Sequence, residues 1–122
     1  MSASILTVDD SASIRMTIKL ALTDAGYSVA EAENGAAGID TANAGNFDLI
    51  ITDLNMPVMD GLTMIEELRK LPAHAGVPII FLTTESDEGM KQRAKAAGAT
   101  GWLTKPFNPE QLVRIAKKVL GR

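Results

Sequence analysis

The sequence predicts an α/β domain built on a doubly wound, five-stranded parallel sheet of order 2-1-3-4-5 with five helices. Short apolar runs alternate five times with amphipathic segments, the pattern of strand–helix units around a parallel sheet. Several of those runs lack a polar side, as strands buried on both faces do. The 122 residues fit one domain, residues 1–122. A domain of that size buries roughly two-thirds of its unfolded surface. Right-handed crossovers then leave few topologies.

Taken in order, the predicted strands are Ile5–Val8, Val29–Ala32, Leu49–Thr52, Pro78–Leu82 and Trp102–Leu103. In the first helix Ile14, Ile18, Ala21, Leu22 and Ala25 keep helical spacing, and Gly26 supplies the stop. Asn34 caps an alanine-rich second helix ending near Gly45. Asp60 caps a third, with Met64, Ile65, Leu68 and Leu71 inward and Glu66 and Lys70 paired outward at i,i+4. Met90, Ala94 and Ala97 mark the fourth, ended by Gly98. Asn108 followed by Pro109 is a cap-plus-first-turn signal, and Leu112, Ile115, Ala116 and Val119 give the fifth helix its buried stripe.

Composition removes whole classes of chemistry. There is no cysteine, so disulfides, thiolate catalysis and cysteine zinc sites are excluded. One histidine, His74, cannot build a histidine metal site alone. The net charge of −3 argues against nucleic acid as the main partner. No apolar stretch reaches membrane-spanning length and no targeting segment opens the chain, so the expectation is a cytoplasmic monomer with no membrane partner.

In an open parallel sheet, sites form at the carboxyl ends of the strands. The first run ends in Asp9-Asp10, the third in Asp53, the fourth in Thr83-Thr84 and the fifth in Thr104-Lys105-Pro106. Three carboxylates would share one edge with a hydroxyl and an ammonium. Acids crowded together repel unless a counter-charge intervenes. With oxygen donors and no histidine or cysteine nearby, Mg²⁺ suits the set. A cation, a lysine and a threonine around a carboxylate make a cradle for a phosphoryl group, and a carboxylate can serve as the nucleophile that takes it.

The segments "LTVDDS", "DLIITDLNMPVMDG", "PIIFLTT" and "AGATGWLTKPF" are similar, in order and spacing along essentially the whole chain, to the receiver domain of bacterial two-component response regulators, a flavodoxin-like fold. The resemblance favours the stand-alone chemotaxis (CheY-like) type. The resemblance implies that Asp53 is the phosphoacceptor. Asp9 and Asp10 would hold Mg²⁺ with Asp53 and the backbone carbonyl of Asn55. Thr83 would hydrogen-bond the phosphoryl oxygens, Lys105 would pair with them, and the Lys105–Pro106 bond would be cis. Trp102 would be the switch aromatic, where tyrosine or phenylalanine is commoner. Asn55, Thr84 and Glu85 would tune hydrolysis and access. The domain would be no enzyme in its own right, though it would assist its own phosphotransfer and dephosphorylation.

Taken singly, each residue has an ordinary explanation. Asp10 or Ser11 caps a helix, Asp53 forms a turn, Thr83 ends a strand, Lys105 is solvated and Trp102 packs in the core. The conjunction at four strand ends is what carries weight. The expected function is a phosphorylation-activated switch. A histidine kinase or phosphotransfer domain would act upstream. The output face would be the fourth helix, fifth strand and fifth helix, and the flagellar motor switch would be its target. No second domain follows in the sequence, so output is expected from this surface, where Lys91, Lys95, Arg114, Lys117 and Lys118 face outward and would suit an acidic partner. Met16 and Leu20 lie opposite the buried stripe of the first helix and would dock the phosphodonor protein. Three rivals remain. A phosphorelay intermediate or phosphate sink would bind no effector. A Mg²⁺-dependent phosphatase would want a general acid where Asn55 stands. A flavin module would want a Ser/Thr/Gly-rich loop after the first strand.

Overall fold

The computed structural model describes residues 3–54, 56, 58–84 and 88–121. The sheet is parallel throughout and runs β2-β1-β3-β4-β5. The strands are β1 (Ser4–Val8), β2 (Ser28–Ala32), β3 (Leu49–Asp53), β4 (Ile79–Thr83) and β5 (Gly101–Thr104). The helices are α1 (Ala12–Asp24), α2 (Gly35–Ala44), α3 (Gly61–Lys70), α4 (Glu88–Ala97) and α5 (Pro109–Leu120), with a 3-10 turn at Pro72–His74. The predicted order and every predicted element are present. Among the described residues, no helix is long and apolar enough to cross a membrane.

Alternation along the strands divides the core in two. On one face Ile5, Leu49, Ile51, Ile80 and Leu82 pack with Ile18 and Leu22 of α1 and Leu112 and Ala116 of α5. On the other, Leu6, Val8, Ile50 and Phe81 pack with Met64, Ile65 and Leu68 of α3 and Ala94 of α4. β3 and β4 are buried along their whole length. The edge strands β2 and β5 are not, because each has a neighbour on only one side, so burial on both faces holds for the middle of the sheet alone.

Caps fix the helix starts. Ser11, Asn34 and Asp60 accept hydrogen bonds from the amides of Ile14, Ala37 and Thr63, and Asn108 and Gln111 form a reciprocal capping box. Ser11, rather than Asp10, caps α1, which leaves the aspartate free of that duty.

Two expectations about charged residues are corrected. Lys70 pairs with Glu67 at 2.8 Å, one turn back at i,i+3, and not with Glu66. Lys91 is only 9% exposed and so does not belong to an outward basic face; its ammonium lies over the Trp102 ring, 5.6 Å from the centroid. Arg69 fastens the far end of α4: Nε and Nη2 donate to the Gly98 carbonyl at 3.1 and 2.7 Å, and Nη1 donates to the His74 carbonyl at 2.9 Å. Gly98 has φ +118°, and a Cβ there would strike the Arg69 side chain.

Candidate functional site

Asp9 follows the last residue of β1 and is 1% exposed. Its amide donates to the Ala32 carbonyl of β2, its Oδ1 accepts from the Ser11 amide at 2.9 Å, and its Oδ2 has no hydrogen-bond partner. Asp53 closes β3 and is 7% exposed. Its Oδ1 accepts from the Leu54 amide at 2.8 Å and its Oδ2 lies 3.1 Å from the Lys105 ammonium. Asp10 is exposed beside them, and one oxygen from each of Asp9, Asp10 and Asp53 falls within 4.8 Å of the others.

Thr83 is buried at the end of β4, and its carbonyl accepts from the Lys105 amide at 2.7 Å, so the two strand ends are joined by main chain. The Lys105–Pro106 peptide is cis. Thr84 is exposed and lines, with Leu103, Thr104, Lys105, Pro106 and Gln111, a cleft of about 720 Å³ beside Trp102. The structure therefore brings Asp9, Asp10, Asp53, Thr83 and Lys105 to one sheet edge. Asn55 and Glu85 lie outside the described residues, as does Pro57 of the loop that follows Asp53.

The described ends of that loop lie close together. The Gly61 amide donates to the Leu54 carbonyl at 2.9 Å, and a Cβ at Gly61 would collide with the Asp53 carbonyl oxygen. Glycine is what lets α3 start hard against the strand that carries the acid. Met56 is buried beneath, while Val58 takes φ +71°, a region costly for a β-branched residue.

Burial pushes the Asp9 carboxyl above its ordinary range, and the neighbouring charge of Asp53 adds to the effect, against a lowering by the Ser11 amide and Lys105. A buried carboxylate oxygen without a partner, facing two further acids through oxygen donors only, fits a hard divalent cation. Among the described residues, Asp9, Asp10 and Asp53 are the side chains able to hold it.

The response regulator receiver domain family matches residues 5–117. The chain belongs to that family. Among solved structures, this receiver domain is similar to the chemotaxis response regulator CheY4 of Vibrio cholerae, with 46% identity, a TM-score of 0.93, and coverage of 98% of this chain and 100% of that one. It is also similar to the receiver domain of the sensor histidine kinase PA1611 from Pseudomonas aeruginosa, whose structure has a magnesium ion coordinated in the active site cleft (30% identity, TM-score 0.91, full coverage of both chains). Among curated proteins, ResD of Bacillus subtilis, a transcriptional regulatory protein, is 37% identical over 118 residues, which are 97% of this chain and 48% of ResD. The chain spans about half the length of the curated relatives it matches.

Sequence reasoning overlooked Arg15. Its Nη1 donates to the Asp9 carbonyl at 2.5 Å and its Nε pairs with Glu31 at 3.2 Å, so it braces the acid-bearing turn against β2. Its place four residues after the cap Ser11, one turn into α1, was the available signal. Trp102 is neither core nor fully solvated: it is 38% exposed and stacked on Phe81. Met16 and Leu20 are 63% and 65% exposed, as their helical position predicts.

Proposed function

We propose that residues 1–122 act as one receiver domain, a switch set by phosphorylation of Asp53. The observation that carries this reading is the meeting of three carboxylates within 4.8 Å with an ammonium 3.1 Å from the middle one. An Asp53 carboxylate oxygen attacks the phosphorus of a phosphohistidine. An O–P bond forms as the N–P bond breaks, and the imidazole leaves with the electron pair and takes a proton from solvent. Asp9 and Asp10, with Asp53 and the Asn55 carbonyl, would hold Mg²⁺, which would supply charge neutralisation for the phosphoryl oxygens. Lys105 supplies positive charge from the opposite side, and the Thr83 hydroxyl donates to the phosphoryl group once it is attached. Water attack on the aspartyl phosphate resets the switch, with access governed by Asn55, Thr84 and Glu85.

The upstream partner is a histidine kinase or phosphotransfer domain, docking over Met16 and Leu20 on α1 beside Asp10. Downstream, the α4–β5–α5 face, with Trp102 as its switch residue, changes affinity for a protein target. Likeness to CheY4 over 98% of this chain and the whole of that one favours a chemotaxis role, with the flagellar motor switch as that target. The transcriptional regulators among the relatives favour a second reading, in which a receiver of this kind controls a DNA-binding region.

Intact mass after treatment with acetyl phosphate and Mg²⁺ tests the core of the proposal. The wild type should gain one phosphoryl group, and Asp53→Ala none. A gain at any other residue, or one indifferent to chelation of Mg²⁺, overturns it. Capture of a motor component by the phosphorylated form alone would decide for the first output over the second.

A further inference from the structure

We propose that Lys91 and Lys95 form a cation–π clamp on Trp102, holding the indole against the outer part of β5 and tying α4 to the sheet edge. Lys91 and Lys95 are four residues apart, so they share one face of α4. Trp102 is the register partner of Phe81 across the β4–β5 ladder, so their side chains rise from the same face of the sheet. Phe81 belongs to the core cluster that α3 and α4 cover. Sequence spacing and strand register thus bring both lysines to the tryptophan.

The distances agree. The Lys95 ammonium is 4.8 Å from the indole ring centroid and that of Lys91 is 5.6 Å, both within the range of a cation–π contact. Phe81 supports the indole from beneath, with centroids 6.2 Å apart and planes at 29°.

A nearly buried lysine demands an explanation. An ammonium taken out of water is costly unless something opposes its charge. Lys91 has the Glu88 carboxylate at 3.2 Å, but that side chain is 75% exposed and water weakens the pair. The indole face supplies a second partner on the buried side. It also explains how two like charges at i,i+4, which would repel, can share one helix face. The only apolar residue that α4 buries fully is Ala94, a small anchor, so the lysine–indole contacts are a principal tie between α4 and β5.

The consequence concerns the set point of the switch. The cleft beside Trp102, reaching Thr84 and Lys105, gives the indole somewhere to go. An indole that turned into it and off the two lysines would give up both contacts. Each cation over a partly exposed ring biases such an equilibrium by about two- to fivefold, and the pair by about tenfold. The clamp keeps the resting state resting. This step deepens the proposed function and rests on it for the link to phosphorylation, whereas the clamp itself is a property of the unmodified protein.

Trp102 is the only tryptophan, so its fluorescence reads the clamp directly. Lys→Met keeps the aliphatic stem and removes the charge. In unmodified protein, Lys91→Met/Lys95→Met should increase the rapidly decaying fraction of tryptophan anisotropy about twofold and change quenching by neutral acrylamide. Lys95→Arg, which keeps a cation, should match the wild type. Should the double variant unfold by circular dichroism, the exposed Lys95→Met alone carries the same comparison. Wild-type anisotropy and quenching in the folded charge-removed variant overturn the clamp. Phosphorylation measured by mass in the same samples keeps the two ideas apart. Loss of modification at Asp53 in the wild type sinks the switch, while normal modification with an unmoved indole sinks only the clamp.

Discussion

The acid side of the site and the lysine side are built by different means. Asp53 ends the inner strand β3 and Asp9 directly follows the inner strand β1, both almost without exposure, and their positions are set with the help of main chain: a bond to Ala32, an amide from Ser11, an amide from Leu54. Trp102 belongs to the edge strand β5, whose residues are half-buried or exposed, and Lys105 directly follows that strand; the main chain ties Lys105 to Thr83, and side-chain charges add to the holding of both residues. Backbone bonds in a packed sheet have one arrangement. Charge contacts at a half-covered edge have several of similar energy. A domain that must keep an acid cluster fixed while its surface changes benefits from that division.

Truncation inside the sheet should have the largest effect and tests the contrast directly. Ile51→Ala, two residues before the acid and fully buried, should cost about 2–5 kcal/mol in urea unfolding. Leu103→Ala on β5, facing the same core cluster but only half-buried, should cost about 1 kcal/mol. Equal losses would erase the distinction between the two sides.

Gly61→Ala comes next. Its methyl would press on the Asp53 carbonyl, so a loss of about 1–3 kcal/mol is expected, together with reduced phosphorylation by acetyl phosphate. Unchanged phosphorylation would show that the acid tolerates a shifted loop and is less fixed than its contacts suggest.

Asp9→Asn should have a smaller effect of opposite sign. Burial raises the Asp9 carboxyl above its ordinary range. The stability linked to this group is therefore complete below its unfolded pKa and lost as pH rises through the folded one. In chelator at neutral pH the variant should melt a few degrees above the wild type, and Mg²⁺ should raise the wild type alone. Scanning fluorimetry in both buffers reads the two effects. A variant that melts lower in chelator would mean that the favourable charge interactions of the carboxylate, with the Ser11 amide and Lys105, outweigh its burial.

The smallest effect belongs to the cleft. Thr84→Ala should modestly quicken uptake of phosphoryl from small donors, because Thr84 lines the approach beside Lys105. Equal rates would leave access to the loop residues instead.

The inner half of this design was legible in the sequence and the outer half only partly. Uninterrupted apolar runs announced β3 and β4, and an acid or hydroxyl straight after each run announced the site, because burial on both faces leaves little freedom in where a strand ends. Lys91 was misplaced because helical spacing identifies a shared face but not how closely that face approaches the sheet. The same limit hid the partner choice of Lys70, where Glu66 and Glu67 are both within a turn. Arg15 escaped notice because one of its targets is a backbone carbonyl, which leaves no mark in residue types, and the other, Glu31, lies on a different element.

The Arg69 fastening makes α4 a lever. Ten residues of helix form a rod about 15 Å long. With its tail bonded through Gly98 to α3, a small rotation of the rod barely shifts Ala97 but carries Glu88, at the end nearer the phosphoacceptor, through the widest arc.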